Sequence, residues 1–445
     1  MNKPRSAIDR DIVRLALPAL GALIAEPLFL LTDTALVGHL GPNSLAGLGV
    51  ASIILQTIVG LLIFLAYATT PTVARRLGAG DRPGAIKAGI DGMWLALGLG
   101  VVILAAGLPL ARPIVELFGS APAVTSAAHT YLFVSLFGIP GMLLVIAATG
   151  LLRGLQDTRT PLIVAVAGFA ANGALNALLI YGFGLGIAGS ALGTVVAQWG
   201  MAAVYVVIAV RAAKRENARL RPGLDGVSTS AISGGWLLLR TASLRVAMLA
   251  TVWVGASLGV PELAALQVTL SVFSLVAFVL DAFAIAGQAL IGHGLGAADI
   301  PRVRAIVRRL IVLSIGFGVI IGVLLAAGSP LIGPIFSPDP TVQQLLTPVL
   351  IVLAASAPLA GFVFVLDGVL IGAGDARYLA WTGILNLAAY LPLLWLATTL
   401  GGGFALIGVQ VALSFGYLGA RALTLGLRVR SDRWMLTGAS RTSPA

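Results

Sequence analysis

Long apolar runs broken at short polar intervals dominate the chain. Residues 160–210 and 378–420 carry no charged side chain at all. Each run is long enough for two membrane-crossing helices, since one crossing takes about 20 apolar residues. The glycine-rich stretches "GFGLGIAGS" (182–190) and "TTLGGG" (398–403) supply the hinges. The other apolar blocks divide in the same way. The spacing predicts spans at 12–38, 45–72, 88–109, 129–151, 160–181, 187–210, 232–258, 263–291, 305–327, 343–371, 378–398 and 404–426, which makes 12 helices.

The basic residues test that count. With 12 spans, every second connection and both termini fall on one side. Those segments hold 25 of the 28 Lys and Arg residues, from Lys3 and Arg5 through Arg75, Arg76, Arg215, Arg304 and Arg377 to Arg421, Arg428 and Arg430. Only Arg112 falls in an opposite loop, and Arg240 and Arg245 fall inside the seventh span. One mis-assigned helix would scatter these charges over both faces. Cytoplasmic loops are enriched in Lys and Arg, so both termini are expected in the cytoplasm. The expected location is the cell membrane.

The pattern also repeats at an offset of 218 residues. "RRLGAGD" (75–81) matches "HGLGAAD" (293–299), and "GLLRGLQDTR" (150–159) matches "GVLIGAGDAR" (368–377). Phe118 in "ELFGS" pairs with Phe336 in "PIFSPD". Six helices plus six give two halves of the same orientation, a parallel pseudo-two-fold repeat of the kind transporters use. The expected organisation is an N-terminal six-helix bundle (1–210), a basic linker (211–230), a C-terminal six-helix bundle (231–430) and a tail (431–445). The fold class is an all-α integral membrane protein.

Composition agrees with that class. The chain has 445 residues, 58% hydrophobic and 10% charged, with a mean hydropathy of +1.02. A soluble domain carries about 25% charge. The net charge of +11 follows membrane topology and does not imply nucleic acid. There are no cysteines, and the three histidines, His39, His129 and His293, are scattered. No spacing for a metalloprotease, a serine hydrolase, a nucleotide loop or a calcium loop occurs. No cofactor or metal is expected, and an integral membrane enzyme is the disfavoured alternative.

Ionisable groups inside spans are costly and mark function by default. Glu26 and Asp33 lie two turns apart on the first helix, beside Pro18 and Pro27. Arg240 and Arg245 lie in the seventh span, Asp281 in the eighth and Asp367 in the tenth. Arg245 sits about 20 Å into its helix at 1.5 Å per residue. It is expected to pair with Asp281 or Asp367, the acids of its own half.

"RLALPALGALIAEPLFLLTDTALVGHLG" (14–41), "LLRGLQDTRTPL" (151–162), "VLDAFAIAGQALIGHGLGAAD" (279–299) and "VLDGVLIGAGDAR" (365–377) resemble the multidrug and toxic compound extrusion (MATE) family, in its DinF-like branch. The resemblance covers nearly the whole chain. It implies two six-helix bundles around a V-shaped central cavity. It also implies an antiporter that exports cationic or amphipathic compounds by alternating access while a proton or sodium ion enters.

Carried over residue by residue, the resemblance makes Asp33 the acid of the first helix. Asn172, Asn176 and Thr194 become its neighbours from the fifth and sixth helices. Asn176 departs from relatives that have an acid there. Tyr131 is expected to reach the same cavity. Asp367 matches an acidic position linked to cation binding in another branch. Glu26, Tyr131, Asp281 and Arg245 complete the expected substrate cavity. Burial favours the neutral form of a lone carboxylate, and one carboxylate suits a proton better than a sodium ion that wants several oxygens. A monomer is expected. The alternative transport reading is a lipid-linked sugar flippase of a related fold, which would need several cationic residues in the cavity.

Overall fold

A computed structural model describes residues 5–439. The described chain is helical almost throughout. The first eight helices are α1 (Arg5–Gly38), α2 (Pro42–Leu62), α3 (Phe64–Gly78), α4 (Arg82–Glu116), α5 (Pro122–Leu136), α6 (Ile139–Gly154), α7 (Arg159–Ala177) and α8 (Gly186–Arg215). They are followed by α9 (Leu224–Leu258), α10 (Val260–Gly296), α11 (Ile300–Phe336), α12 (Pro340–Gly372), α13 (Ala376–Thr398), α14 (Gly402–Val411) and α15 (Leu418–Arg430). Two π-helical segments interrupt this order, Leu178–Gly182 after α7 and Ala412–Tyr417 between α14 and α15.

Among the described residues, 11 helices are long and apolar enough to cross a membrane, or 12 if the bent pair α5 and α6 forms one span. The expected span at 129–151 is therefore two pieces meeting at 52°. Its break falls at "FGIPG" (137–141), where Pro140 has no N–H to give the ladder. Several other helices outrun their expected spans because polar residues prolong them past the apolar stretch. α4 begins at Arg82 and α15 continues through Arg428 and Arg430.

Two compact units make up the chain. One contains residues 17–234, and the other contains the described residues of 1–16 with those of 235–445. Hydropathy does not place the first turns of α1 with the C-terminal unit; charge does. Asp9 accepts from Arg309 Nε and Nη2 at 2.7 and 2.5 Å, and Asp11 lies 3.5 Å from Arg302. The segment 211–230 is tied to α4 in the N-terminal unit. Trp94 Nε1 donates to Leu220 O at 2.9 Å, Gly223 N donates to Asp91 at 2.9 Å, and Arg82 pairs with Glu216 at 2.8 Å.

The two units share local devices at the offset of 218. Asp81 caps α4 by accepting from Gly84 N at 2.9 Å, and Asp299 caps α11 by accepting from Arg302 N at 3.1 Å. Gln156 (φ 63°) and Gly374 (φ 72°) take the same left-handed turn. A methyl group on Gly150 would lie 3.0 Å from Ala66 Cα, and one on Gly368 would lie 2.6 Å from Ala284 Cα. Glycine at each place lets two backbones touch, the close approach that holds helices together where lipid supplies no hydrophobic drive.

Gly368→Val should therefore lower the yield of folded protein, at an overpacking cost of about 1–3 kcal/mol. Gly49→Val, where nothing lies within 4 Å, is the control. Equal yields and melting temperatures for the two would refute the close-contact role.

The C-terminal unit has a core of Leu266, Leu346, Val349 and Leu350 between α10 and α12, and a second around Tyr390 and Tyr417. Outward, large apolar side chains stay exposed. Trp253 is 76% exposed, Leu324 67% and Ile163 66%. Apolar surface of this extent marks a membrane-facing protein.

Candidate functional site

Asp33 lies on α1 and is 4% exposed. Every partner it has among the described residues is uncharged. Tyr131 OH on α5 donates to Oδ2 at 3.0 Å. Asn176 Nδ2 on α7 donates to Oδ1 at 2.9 Å, and Ser190 Oγ on α8 donates to the same oxygen at 2.5 Å. Three donors replace the water shell that a carboxylate loses on burial.

A second layer holds the first. Asn176 Nδ2 also donates to Asn172 Oδ1 at 3.0 Å, and Asn172 Nδ2 donates to Thr194 Oγ1 at 3.0 Å. Asn176 Oδ1 is buried without a partner.

Local sequence explains how these groups meet. Asn172 and Asn176 are four residues apart on α7, and Ser190 and Thr194 are four apart on α8, so each pair shares one helix face. Gly189 and Gly193 lie on the same part of α8. A methyl group on Gly189 would lie 2.8 Å from the Leu179 carbonyl, and one on Gly193 would lie 3.1 Å from Asn176 N. These glycines let α8 approach the α7 backbone closely enough for short polar side chains to span the gap. On α1, Phe29 stacks on Phe169 with centroids 5.0 Å apart, and Tyr181 OH donates to Leu36 O at 2.6 Å. α7 and the π-helical segment after it thus hold α1 on both sides of Asp33.

The structure brings Asp33, Tyr131, Asn172, Asn176 and Thr194 into one network. Ser190 joins them and was not anticipated; its spacing to Thr194, matching that of the two asparagines, was the available signal. Glu26 does not join. It is exposed, two turns before Asp33, with no hydrogen bond or ion pair among the described residues.

In the C-terminal unit the pairing expected of Arg245 with Asp281 or Asp367 is not found among the described residues. Arg245 is exposed and makes no ion pair among the described residues. Arg240, five residues earlier on α9, is the partner of Asp367. Its Nη2 reaches Asp367 Oδ2, and its Nε lies 3.3 Å from Oδ1. Arg421 Nη2 of α15 lies 3.3 Å from Asp367 Oδ1. Arg421 was counted with the loop charges at the end of the chain, but it is 9% exposed inside the unit. One carboxylate is thus held between two guanidiniums. Asp281 is half-buried on α10.

The MatE family model matches residues 18–178 and 241–396, one stretch in each half. The chain is 28% identical to DNA damage-inducible protein F of Escherichia coli, over 95% of this chain and 89% of that protein. It is 30% identical to the probable multidrug resistance protein NorM of Pseudomonas putida, over 98% and 97%. In fold it is similar to the Vibrio cholerae MATE transporter VcmN in the bent form, with a TM-score of 0.88 at 22% identity, covering 97% of this chain and 99% of that one. Matched in both halves by the family model and along its length by these relatives, the chain is a multi-pass membrane transporter that belongs to the MatE, or multidrug and toxic compound extrusion, family.

Proposed function

We propose that this protein is an antiporter that exports organic cations in exchange for protons, with Asp33 as the exchanging group. One observation carries the reading: Asp33 is a buried carboxylate with no basic partner among the described residues. Asp367 is the other acid the sequence offered for coupling, and two guanidiniums already neutralise it. A carboxylate without a counter-charge can trade a proton for a cationic substrate. A carboxylate locked between two arginines has its cations built in.

The surroundings of Asp33 suit both of its states. Ionised, it takes the three donors already aimed at it. Neutral, it becomes a donor itself and needs an acceptor. Ser190 Oγ, 2.5 Å from Oδ1, can turn its hydroxyl and accept, since a hydroxyl both donates and accepts. Proton and substrate then compete for one charge, and that competition couples their fluxes without contact between them. The names of the relatives, among them probable multidrug resistance protein, support small-molecule drugs as cargo, and the uncompensated carboxylate of Asp33 favours cationic ones.

Efflux of a cationic dye from proteoliposomes, under separately imposed proton and sodium gradients, tests the reading. A proton gradient alone is expected to drive export against the dye gradient. Export driven by sodium alone, with none from protons, would make the oxygen cluster around Asp33 a sodium site and end the proton reading.

A further inference from the structure

The helical stretch from α14 into α15 carries a polar stripe in an otherwise apolar span. Gln410, Ser414, Tyr417 and Arg421 follow at intervals of four, three and four, which places them on one face. The π-helical segment Ala412–Tyr417 runs through the middle of this stripe. Such segments are rare and recur at functional sites.

Two groups of the stripe are left without partners. Gln410 Nε2 donates to Ser414 Oγ at 2.9 Å, but Gln410 Oε1 has no partner, and neither has Tyr417 OH. Gln410 is 1% exposed and Tyr417 2%. A buried polar group left unpaired costs about 1–3 kcal/mol, so native structures keep few of them.

Both orphans border one cavity of about 110 Å³ inside the C-terminal unit, together with Ser414 and Arg421. The rest of the lining is apolar and includes Leu244, Met248, Phe273 and Phe364. Arg421 is the one charged residue of the lining among the described residues. Its guanidinium has five N–H donors, and its ion-pair contact is the 3.3 Å approach to Asp367, which Arg240 also claims.

We propose that this cavity is a binding site for an amphipathic organic anion, with the acid head on Arg421 and the apolar body against Leu244, Met248, Phe273 and Phe364. An acceptor head group satisfies what the protein leaves open. Tyr417 OH donates to it, and Arg421 donates with its remaining N–H groups. If the Gln410 amide turns over, its oxygen accepts from Ser414 and its NH2 faces the ligand. A cationic head would meet a guanidinium with no spare carboxylate beside it. A cavity this narrow takes a slender single-chain acid and excludes a bulky one. An anionic lipid offers the same head-group chemistry. The inference does not rest on the proton reading of Asp33, which belongs to the other unit.

Octanoate, octylamine and octanol carry one tail with three different heads. Their binding to the full-length protein in phosphatidylcholine nanodiscs, measured by calorimetry and thermal shift, tests the site. Octanoate is expected to bind about tenfold more tightly than the other two, the worth of one charge-assisted hydrogen bond. Arg421→Gln should remove that preference. Tyr417→Phe should weaken octanoate alone, and it keeps the test open if Arg421→Gln fails to fold. Loss of octanoate binding in nanodiscs containing phosphatidylglycerol would identify the anion as a lipid head. Unchanged binding there would identify it as a free acid. Octylamine or octanol binding as well as octanoate would overturn the proposal, as would unaltered octanoate affinity in both variants.

Discussion

Asp33→Asn is expected to insert and fold like the parent protein and to lose export driven by a pH difference. The amide has the shape of the carboxylate, so its oxygen can keep the bonds from Asn176 and Ser190 at the Oδ1 position. Its NH2 then faces Tyr131, now 3.0 Å from Oδ2. That hydroxyl can rotate to accept, because a phenol both donates and accepts. The hydrogen-bond network survives with its one titrating charge removed. Efflux from proteoliposomes under a pH gradient should fall to the level of empty vesicles, while the melting temperature moves little. If the variant still expels substrate against its gradient under a pH difference alone, Asp33 is a structural acid and coupling lies elsewhere.

Asp367→Ala should be the most destabilising single change in the buried ion triplet, ahead of Arg240→Ala. Asp367, Arg240 and Arg421 expose only 10%, 10% and 11% of their side chains. Removing one partner of a buried pair costs about 3–5 kcal/mol, because the remaining charge is stranded. Asp367→Ala strands two guanidiniums. Arg240→Ala leaves the carboxylate its contact with Arg421, so it should cost less. Combining Asp367→Ala with Arg240→Met should recover part of the loss, since one stranded charge then remains in place of two. Thermal unfolding of detergent-solubilised protein, read by size-exclusion or intrinsic tryptophan fluorescence, gives the order directly. A larger loss for Arg240→Ala, or wild-type stability for Asp367→Ala, would show that the triplet does not act as one charge balance.

Much of this architecture was legible along the chain because it is written in one dimension. The length of an apolar run sets whether it can cross a bilayer, and the run lengths anticipated helices up to 12 in number. The offset of 218 places Gly150 opposite Gly368 and Asp81 opposite Asp299, and the structure gives each pair the same contact. Asp33 stood out because an acid in an apolar helix is costly wherever that helix lies. Asn172, Asn176 and Thr194 were named from resemblance, since nothing in their spacing says that they face Asp33 across helix boundaries.

Partner choice was different, because it depends on helix rotation and on contacts between distant segments. Arg240 and Arg245 both lie deep in α9, and depth alone favoured Arg245. They are five residues apart, about 140° around the helix at 3.6 residues per turn, so only one can face Asp367. Packing turned Arg240 inward and Arg245 outward. Arg421 was read as a loop charge because it lies near the end of an apolar span, yet its long side chain lies buried beside an acid on another helix. Spacing puts Ser190 on one face with Thr194, but it becomes a donor to Asp33 only where Gly189 and Gly193 bring α8 onto α7. The sequence alone determined that the chain crosses a membrane repeatedly, that it is built twice on one plan, and that it buries acids at a cost. Only the tertiary structure decided which of those acids is balanced by arginine and which is left with neutral donors, because charge pairing across helices is a matter of angle and distance that no linear spacing contains.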